Sequence, residues 1–349
     1  MNEFYYQNTK QKKEKLSLPL RVAKTITGRR QNPFLHFVGN NFIILTFDGK
    51  TSCVSLEDFS TLWQIPKVGW VSCGKSKLFF TESVNDQVEM FDISSGKWIK
   101  SVTSETVLGH YVIDHQFVLD VGGDQEGVYM FVDKYDLDNK LEKLWRFQIE
   151  DESSNRFLMS ENKLILNGNY GFYCLDWETG KLVWELPIDG WINTYEQLVW
   201  QDLVIIPMGP TTKAFDIHTG KLRWEQTVKG FTQGTIYKDK LYLIHNKHYG
   251  IVDLTIGKVE LEKDISDIYK PFGVTAEAVL QYGVAITETQ AIFATSIGVL
   301  FILDKWTGEV LWHYKENGII NVKPLVYDHR VYFTKTYNEK TSLVVLEEY

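Results

Sequence analysis

His245 and His248 are the closest histidine pair in the chain, in His245-Asn246-Lys247-His248-Tyr249. Two imidazoles at this spacing could begin a zinc site, but the loop holds no carboxylate or thiolate to complete a tetrahedral set. A polar loop or a partner contact is the better reading, and no metal is expected. Asp120-Val-Gly-Gly-Asp124-Gln-Glu126 has the composition of a calcium loop without its spaced carboxylates or closing glutamate. A plain hairpin turn is expected there. Cys53, Cys73 and Cys174 are odd in number and widely spaced, with no C-x-x-C. They read as small strand residues, not as a disulfide framework or a metal site. The sequence contains no G-x-S-x-G, no H-E-x-x-H and no phosphate-binding glycine loop. No residue is therefore assigned a catalytic role, and no cofactor is expected.

What positions these residues is a repeat. The motif D-x-x-T-G-K-x-x-W occurs twice almost unchanged, from Asp176 through Gly180 to Trp184 and from Asp216 through Gly220 to Trp224. A third copy runs from Asp304 through Gly308 to Trp312. Weaker copies begin at Ser55, Asp92, Asp136 and Asp253; they keep Trp63, Gly96, Trp145 and Gly257, while Lys100 and Leu261 stand at the tryptophan position. Successive copies start 37 to 51 residues apart, room for four short strands each. In the copy ending at Trp184 the spacing predicts strands over 156–160, 163–167, 171–175 and 181–186. The motif is then the hairpin between the third and fourth strands. Its Asp accepts turn N–H groups, and its Gly supplies the positive φ. The tryptophan lies on the outer strand, between adjacent units. Burying an indole removes about 150–250 Å² from water, up to ~4–6 kcal/mol before entropy is subtracted. Trp63, Trp145, Trp184, Trp224 and Trp312 are therefore assigned to the fold, as are Gly96, Gly180, Gly220, Gly257 and Gly308.

A second pattern is not required by the hairpin. Six residues after a motif tryptophan stand Gly69, Gly190, Gly230 and Gly318, followed by Trp70, Trp191, Phe231 and Ile319. This places a bulky side chain where one outer strand hands over to the next inner strand. The hairpins between second and third strands share that face and add Tyr170, His245, His248 and Tyr249. These eight residues are the candidate binding rim for a peptide, a sugar or a partner protein. The competing reading is that the apolar ones begin inner strands and pack between repeats.

Net charge is −8 with a pI of about 5.6. That disfavours nucleic acid, which needs a concentrated basic surface; only Lys10, Lys12, Lys13 and Lys15 cluster, in an arm expected to fray. The first twenty residues hold no apolar signal region and no apolar run reaches membrane-spanning length, so a cytoplasmic location is expected. The fold class expected is all-β: a propeller of four-stranded antiparallel blades over residues 33–349, preceded by an arm, 1–32. The tail offers three strands, 323–327, 330–335 and 342–347, and lacks a fourth. Residues 16–23 are expected to supply it as a ring-closing outer strand, which removes two sheet edges at once. Eight blades are expected, or seven if 261–290 fails to complete its own.

The D-x-x-T-G-K-x-x-W copies resemble the repeats of the pyrroloquinoline-quinone-like β-propellers over residues ~33 to 349. That family includes the propeller subunit of the bacterial outer-membrane assembly machinery and the quinoprotein alcohol dehydrogenases. The resemblance implies the propeller fold. It does not imply the cofactor, since the dehydrogenases' vicinal cysteines have no match here. The function expected is a non-catalytic scaffold, a monomer or part of a hetero-complex, that binds a protein or peptide through one face and its central funnel. The alternative is a small-molecule or glycan site with hydrolase or quinone-dependent dehydrogenase activity.

Overall fold

A computed structural model describes residues 15–29, 35–38, 42–47, 49–67, 70–73, 77–81, 87–103, 109–114, 117–123, 130–136, 142–149, 157–168, 171–187, 197–231, 234–245, 247–320 and 322–349. The chain forms an all-β propeller of antiparallel sheets and divides into two compact units. Among the described residues, the first holds those from 35 to 187 and the second those from 197 to 349 together with 15–29.

In the first unit each sheet has four strands in sequential order. The best-read copy has Phe157–Ser160, Lys163–Asn167, Gly171–Asp176 and Leu182–Pro187, each within two residues of expectation. Burial falls along the sheet. The second and third strands are almost wholly buried, whereas the outer strand exposes Leu182 and Val183 and buries Trp184. This is the pattern of a sheet stacked on neighbours at its inner strands and wetted at its outer edge.

The second unit is less regular. The strands between Gly234 and Asp264, and those between Gln281 and Lys315, form four-stranded sheets. The sheet from Leu198 to Phe231 has three strands, because strand geometry continues from Leu203 to Asp216 without a break. The last sheet has five. Ile319–Ile320 and Leu325–Tyr327 both pair with Arg330–Tyr337, in line, as one interrupted inner strand. Pro324, with no N–H to donate, lies in the interruption. Six sheets among the described residues therefore have the four strands expected of a blade, in place of the eight or seven expected. The region 261–290 does complete its sheet, through Lys258–Asp264; the long repeat step is spent on two 3-10 helices, Ser266–Phe272 and Ala276–Ala278. The N-terminal strand is Leu20–Arg29 and not 16–23, and it pairs antiparallel with Lys340–Glu348 as the outer strand of the last sheet.

The motif residues build the seam between neighbouring sheets. Asp176 Oδ1 accepts the Thr179 N–H at 3.0 Å and its hydroxyl at 2.8 Å, and Gly180 N–H donates to the Asp176 carbonyl at 2.8 Å. Gly96, Gly180, Gly220, Gly257 and Gly308 all have φ between +65° and +67°. A further requirement was not visible in the repeat. A methyl on Gly96 or Gly180 would stand 2.6 Å from the ring of Trp63 or Trp145, the tryptophan of the preceding copy. Those two indoles donate to Ile93 O and Trp177 O, each at 2.9 Å and each one residue past the next copy's Asp. Trp224 lies on Gly257 likewise, but its buried indole N–H meets no acceptor among the described residues; Trp184 is buried, and Trp312 is half-buried and stacks on Tyr314.

Tyr249 belongs to this seam and not to a rim. Leu261 replaces the tryptophan of its copy, and Tyr249, fully buried, packs on Gly308 instead. Its hydroxyl donates to Lys305 O at 2.7 Å, the carbonyl one residue past Asp304. A phenol thus takes the place and the hydrogen bond of an indole.

Candidate functional site

Strands alternate in direction, so crossings between sheets and hairpins between second and third strands gather at one end of the blades. In the second unit this end is described in detail. The hairpin His245–His248 stands here, with the two histidines directly paired in register and His248 also opposite Asp264. Burial, then the neighbouring His248, holds His245 below the ordinary histidine range. Asp264 caps the crossing that follows: its Oδ1 accepts Ser266 N–H at 2.8 Å.

The crossing from Ile265 to Leu280 folds onto this hairpin. Ile265 N–H donates to Lys247 O at 2.6 Å, and Lys247 Nζ reaches Glu277 at 3.4 Å in a solvated pair of little strength. Tyr269 is buried edge-on to Phe301 with ring centroids 5.7 Å apart, and its hydroxyl accepts from Gln281 Nε2 at 2.9 Å. Phe272 meets Phe301 at 5.8 Å and His313 at 5.3 Å. Gly273, at φ +70°, ends the first 3-10 helix. The insertion is therefore pinned by aromatic contacts, not draped.

Next along the end comes the hairpin Ser296–Gly298. Ser296 N–H donates to Leu280 O at 2.9 Å, and its hydroxyl accepts Leu280 N–H at 3.0 Å. Glu316 N–H donates to Gly298 O at 2.9 Å, and Lys315 Nζ donates to Ile297 O. Gly318, at φ +109°, passes so close to the next hairpin that a methyl on it would meet Tyr337 Cβ at 2.9 Å. Ile319 then pairs with Thr336. Leu280, Ile319 and Tyr337 are 57%, 48% and 51% exposed. They form an apolar rim along two adjacent sheets. Glu316, within it, takes Lys335 Nζ at 2.5 Å and the Tyr314 hydroxyl. Burial would raise its pKa, but these partners outweigh burial and hold it below the usual carboxylate range. Its carboxylate is thus engaged structurally.

The candidates read from sequence are placed unevenly. Ile319 is on the rim, and His245 and His248 pair in the hairpin of the preceding sheet. Trp70 begins an inner strand opposite Thr81, and Phe231 ends an outer strand opposite Gly209; both side chains lie outside the described residues. Trp191 and Tyr170 also lie outside them. In the acidic segment, Asp120 to Gly123 is strand and Asp124 to Glu126 lies outside the described residues. Leu280 and Tyr337 were missed. The 51-residue step from Asp253 to Asp304 was the signal for the first; the second sits in a hairpin whose Asn338 and Glu339 both take positive φ without a glycine. Among the described residues no three His, Cys, Asp or Glu side chains converge as a metal site, and no helix is long and apolar enough to cross a membrane.

Comparison with known proteins agrees with this architecture. The profile of a PQQ-type repeat family, described as outer membrane protein assembly factor BamB, matches residues 132–267 and 214–348. The crystal structure of BamB from Moraxella catarrhalis superposes with a TM-score of 0.69 at 14% identity, covering 94% of this chain and 100% of that one. A computationally designed protein, Ika8, gives 0.68 at 12% identity over 89% and 94% of the two chains. The quinohemoprotein alcohol dehydrogenase ADHIIG of Pseudomonas putida HK5 gives 0.65 at 12% identity over 94% and 76%. At these identities the likeness is one of fold. No curated protein matches the sequence significantly.

Proposed function

The chain belongs to the PQQ-repeat family of the outer membrane protein assembly factor BamB, and from that premise we propose that it is a non-catalytic propeller that binds another protein or a peptide. The observation that carries this reading is the apolar rim of Leu280, Ile319 and Tyr337. Three half-exposed apolar side chains beside a pinned insertion make a surface suited to a macromolecular contact. Residues 33–349 act as one propeller in this reading. Pairing of the N-terminal strand with Lys340–Glu348 supports closure of its ring. The quinone of the related dehydrogenases does not fit the thiols described. Cys53 and Cys174 are single and buried, and burial pushes them up to about 11 and about 12. The test is affinity capture with the native chain and with an Ile319→Asp, Tyr337→Asp chain. A stoichiometric protein held by the first and lost by the second, at equal melting temperature, is expected. Equal retention by both would remove the rim from the binding surface.

A further inference from the structure

The segment 16–29 sits on its unit as a ligand sits on a receptor. The buried side-chain amide of Gln290 brackets the Leu16 peptide unit: Leu16 N–H donates to Oε1 and Nε2 donates to Leu16 O, both at 2.9 Å. This reproduces with one side chain what a neighbouring strand would supply. Gln290 is itself held, because its own N–H donates to Thr287 Oγ1 at 3.0 Å and its carbonyl accepts Thr287 N–H at 2.9 Å. Leu16 and Leu20 are the two apolar anchors, 1% and 4% exposed, in a cluster with Ile292, Leu300, Ile302, Val326 and Leu346. Ser17 N–H donates to Glu348 at 2.7 Å, and strand pairing runs on from Leu20–Glu348 to Arg29–Lys340. Only two of the thirteen buried residues of that cluster come from the segment, so the rest of the core is built without it. Between Leu20 and Gly28 its side chains stay exposed or half-buried. Backbone hydrogen bonds with two anchors four residues apart are the way an extended peptide is recognised at a sheet edge.

We propose that the Lys340–Glu348 edge, the Gln290 amide and the Leu16 pocket form an acceptor site for extended peptides with paired leucine anchors, and that the occupant it takes in place of its own segment is the same segment of a second copy of this chain. A second copy presents the identical anchors and register, which is what strand exchange requires. The tethered segment competes at an effective concentration in the millimolar range, so the intact chain resists exchange.

The probe is a labelled peptide of residues 15–29 added to the full chain. It is expected to bind a Leu16→Asp, Leu20→Asp chain at least roughly tenfold more tightly than the native chain, because the tethered competitor is weakened. Gln290→Leu added to that chain should abolish the gain, and a scrambled peptide should not bind. Mixing the Leu16→Asp, Leu20→Asp chain with a Gln290→Leu chain should give a mixed dimer by light scattering. Equal binding to native and variant chains, or equal binding of the scrambled peptide, overturns the site. Peptide binding without a mixed dimer overturns the second-copy assignment. Should the double variant lose cooperative melting, the native chain is cut at a protease site introduced within residues 30–34. The freed segment must then exchange with labelled peptide, and its failure to do so overturns the proposal.

Discussion

Alanine at Gly180 separates the two reasons for a glycine in the seam. The residue has φ +66°, and an added methyl would lie 2.6 Å from Cδ2 and 2.7 Å from Cγ of Trp145. An L-residue in the left-handed region costs roughly 1–2 kcal/mol. The indole cannot easily yield, because its N–H is bonded to Trp177 O at 2.9 Å and its ring stands edge-on to Trp177 at 6.2 Å. Overpacking of a fixed neighbour adds about 1–3 kcal/mol, for a total of ~2–5 kcal/mol. Gly49 is the control: it lies in the same unit at φ +75°, with nothing within 4 Å of its would-be methyl. Gly49→Ala should therefore cost only the backbone share. Urea unfolding of both variants, alone and with Trp145→Ala, completes the measurement. Once the indole is gone, the excess cost of Gly180→Ala should vanish, a coupling of about 1–3 kcal/mol. Equal losses at Gly49 and Gly180, or no coupling to Trp145, would mean that the turn keeps its glycine for φ alone.

Two further outcomes follow from charges and seams elsewhere. Burial would raise the pKa of Asp253, but the Lys240 ammonium at 2.5 Å and the Thr255 hydroxyl and N–H outweigh burial and hold it at about 2. Its folded value lies below its unfolded one, so its contribution is full above about pH 4 and is lost as pH falls through about 2. Both partners are largely shielded, at 15% and 13% side-chain exposure, and holding the carboxyl at about 2 is worth on the order of 2 kcal/mol. Asp253→Asn should lower stability at pH 7 by about that amount and flatten the acid limb of a stability–pH curve; an unchanged limb would refute the assignment. Tyr249→Phe should cost about 1 kcal/mol for the bond to Lys305 O, and Tyr249→Ala about 3–5 kcal/mol, by thermal unfolding. Equal losses for the two would show that packing on Gly308 contributes little.

The repeat was legible because one hairpin chemistry recurs. Asp, Thr and Gly at fixed offsets dictate the same turn each time, and the strands around Trp184 lie where alternation and turn residues place them. The number of regular sheets was not legible. Whether Leu203–Asp216 breaks into two strands depends on the path through Pro207 and Pro210, and the split of the last inner strand depends on register against Arg330–Tyr337. The steric half of the glycine requirement was also hidden, since it involves a tryptophan one repeat away. For the rim, counting from the motif reached Ile319. It assigned Tyr249 outward, because a hairpin position does not reveal that, with Leu261 in the tryptophan's place, Tyr249 makes the contact on Gly308.

That replacement lies in the strand from which the insertion departs. Leu261 pairs with Ile251, and Tyr249 lies one step nearer the hairpin end, opposite Lys263. Substituting tyrosine for tryptophan therefore moves the seam contact toward the end where the insertion leaves. Lys263 extends it, with Nζ donating to Thr307 O at 2.8 Å. Immediately beyond, Ile265 bonds Lys247 O and the chain enters the 3-10 helices that lead to Leu280. In this sheet the departure from the repeat and the non-repeated surface coincide. The regular tryptophans hold sheets together and carry no site-specific information. This sheet, one of two whose copies lack the motif tryptophan, supplies the pinned crossing on which Leu280 is presented, beside Ile319 and Tyr337.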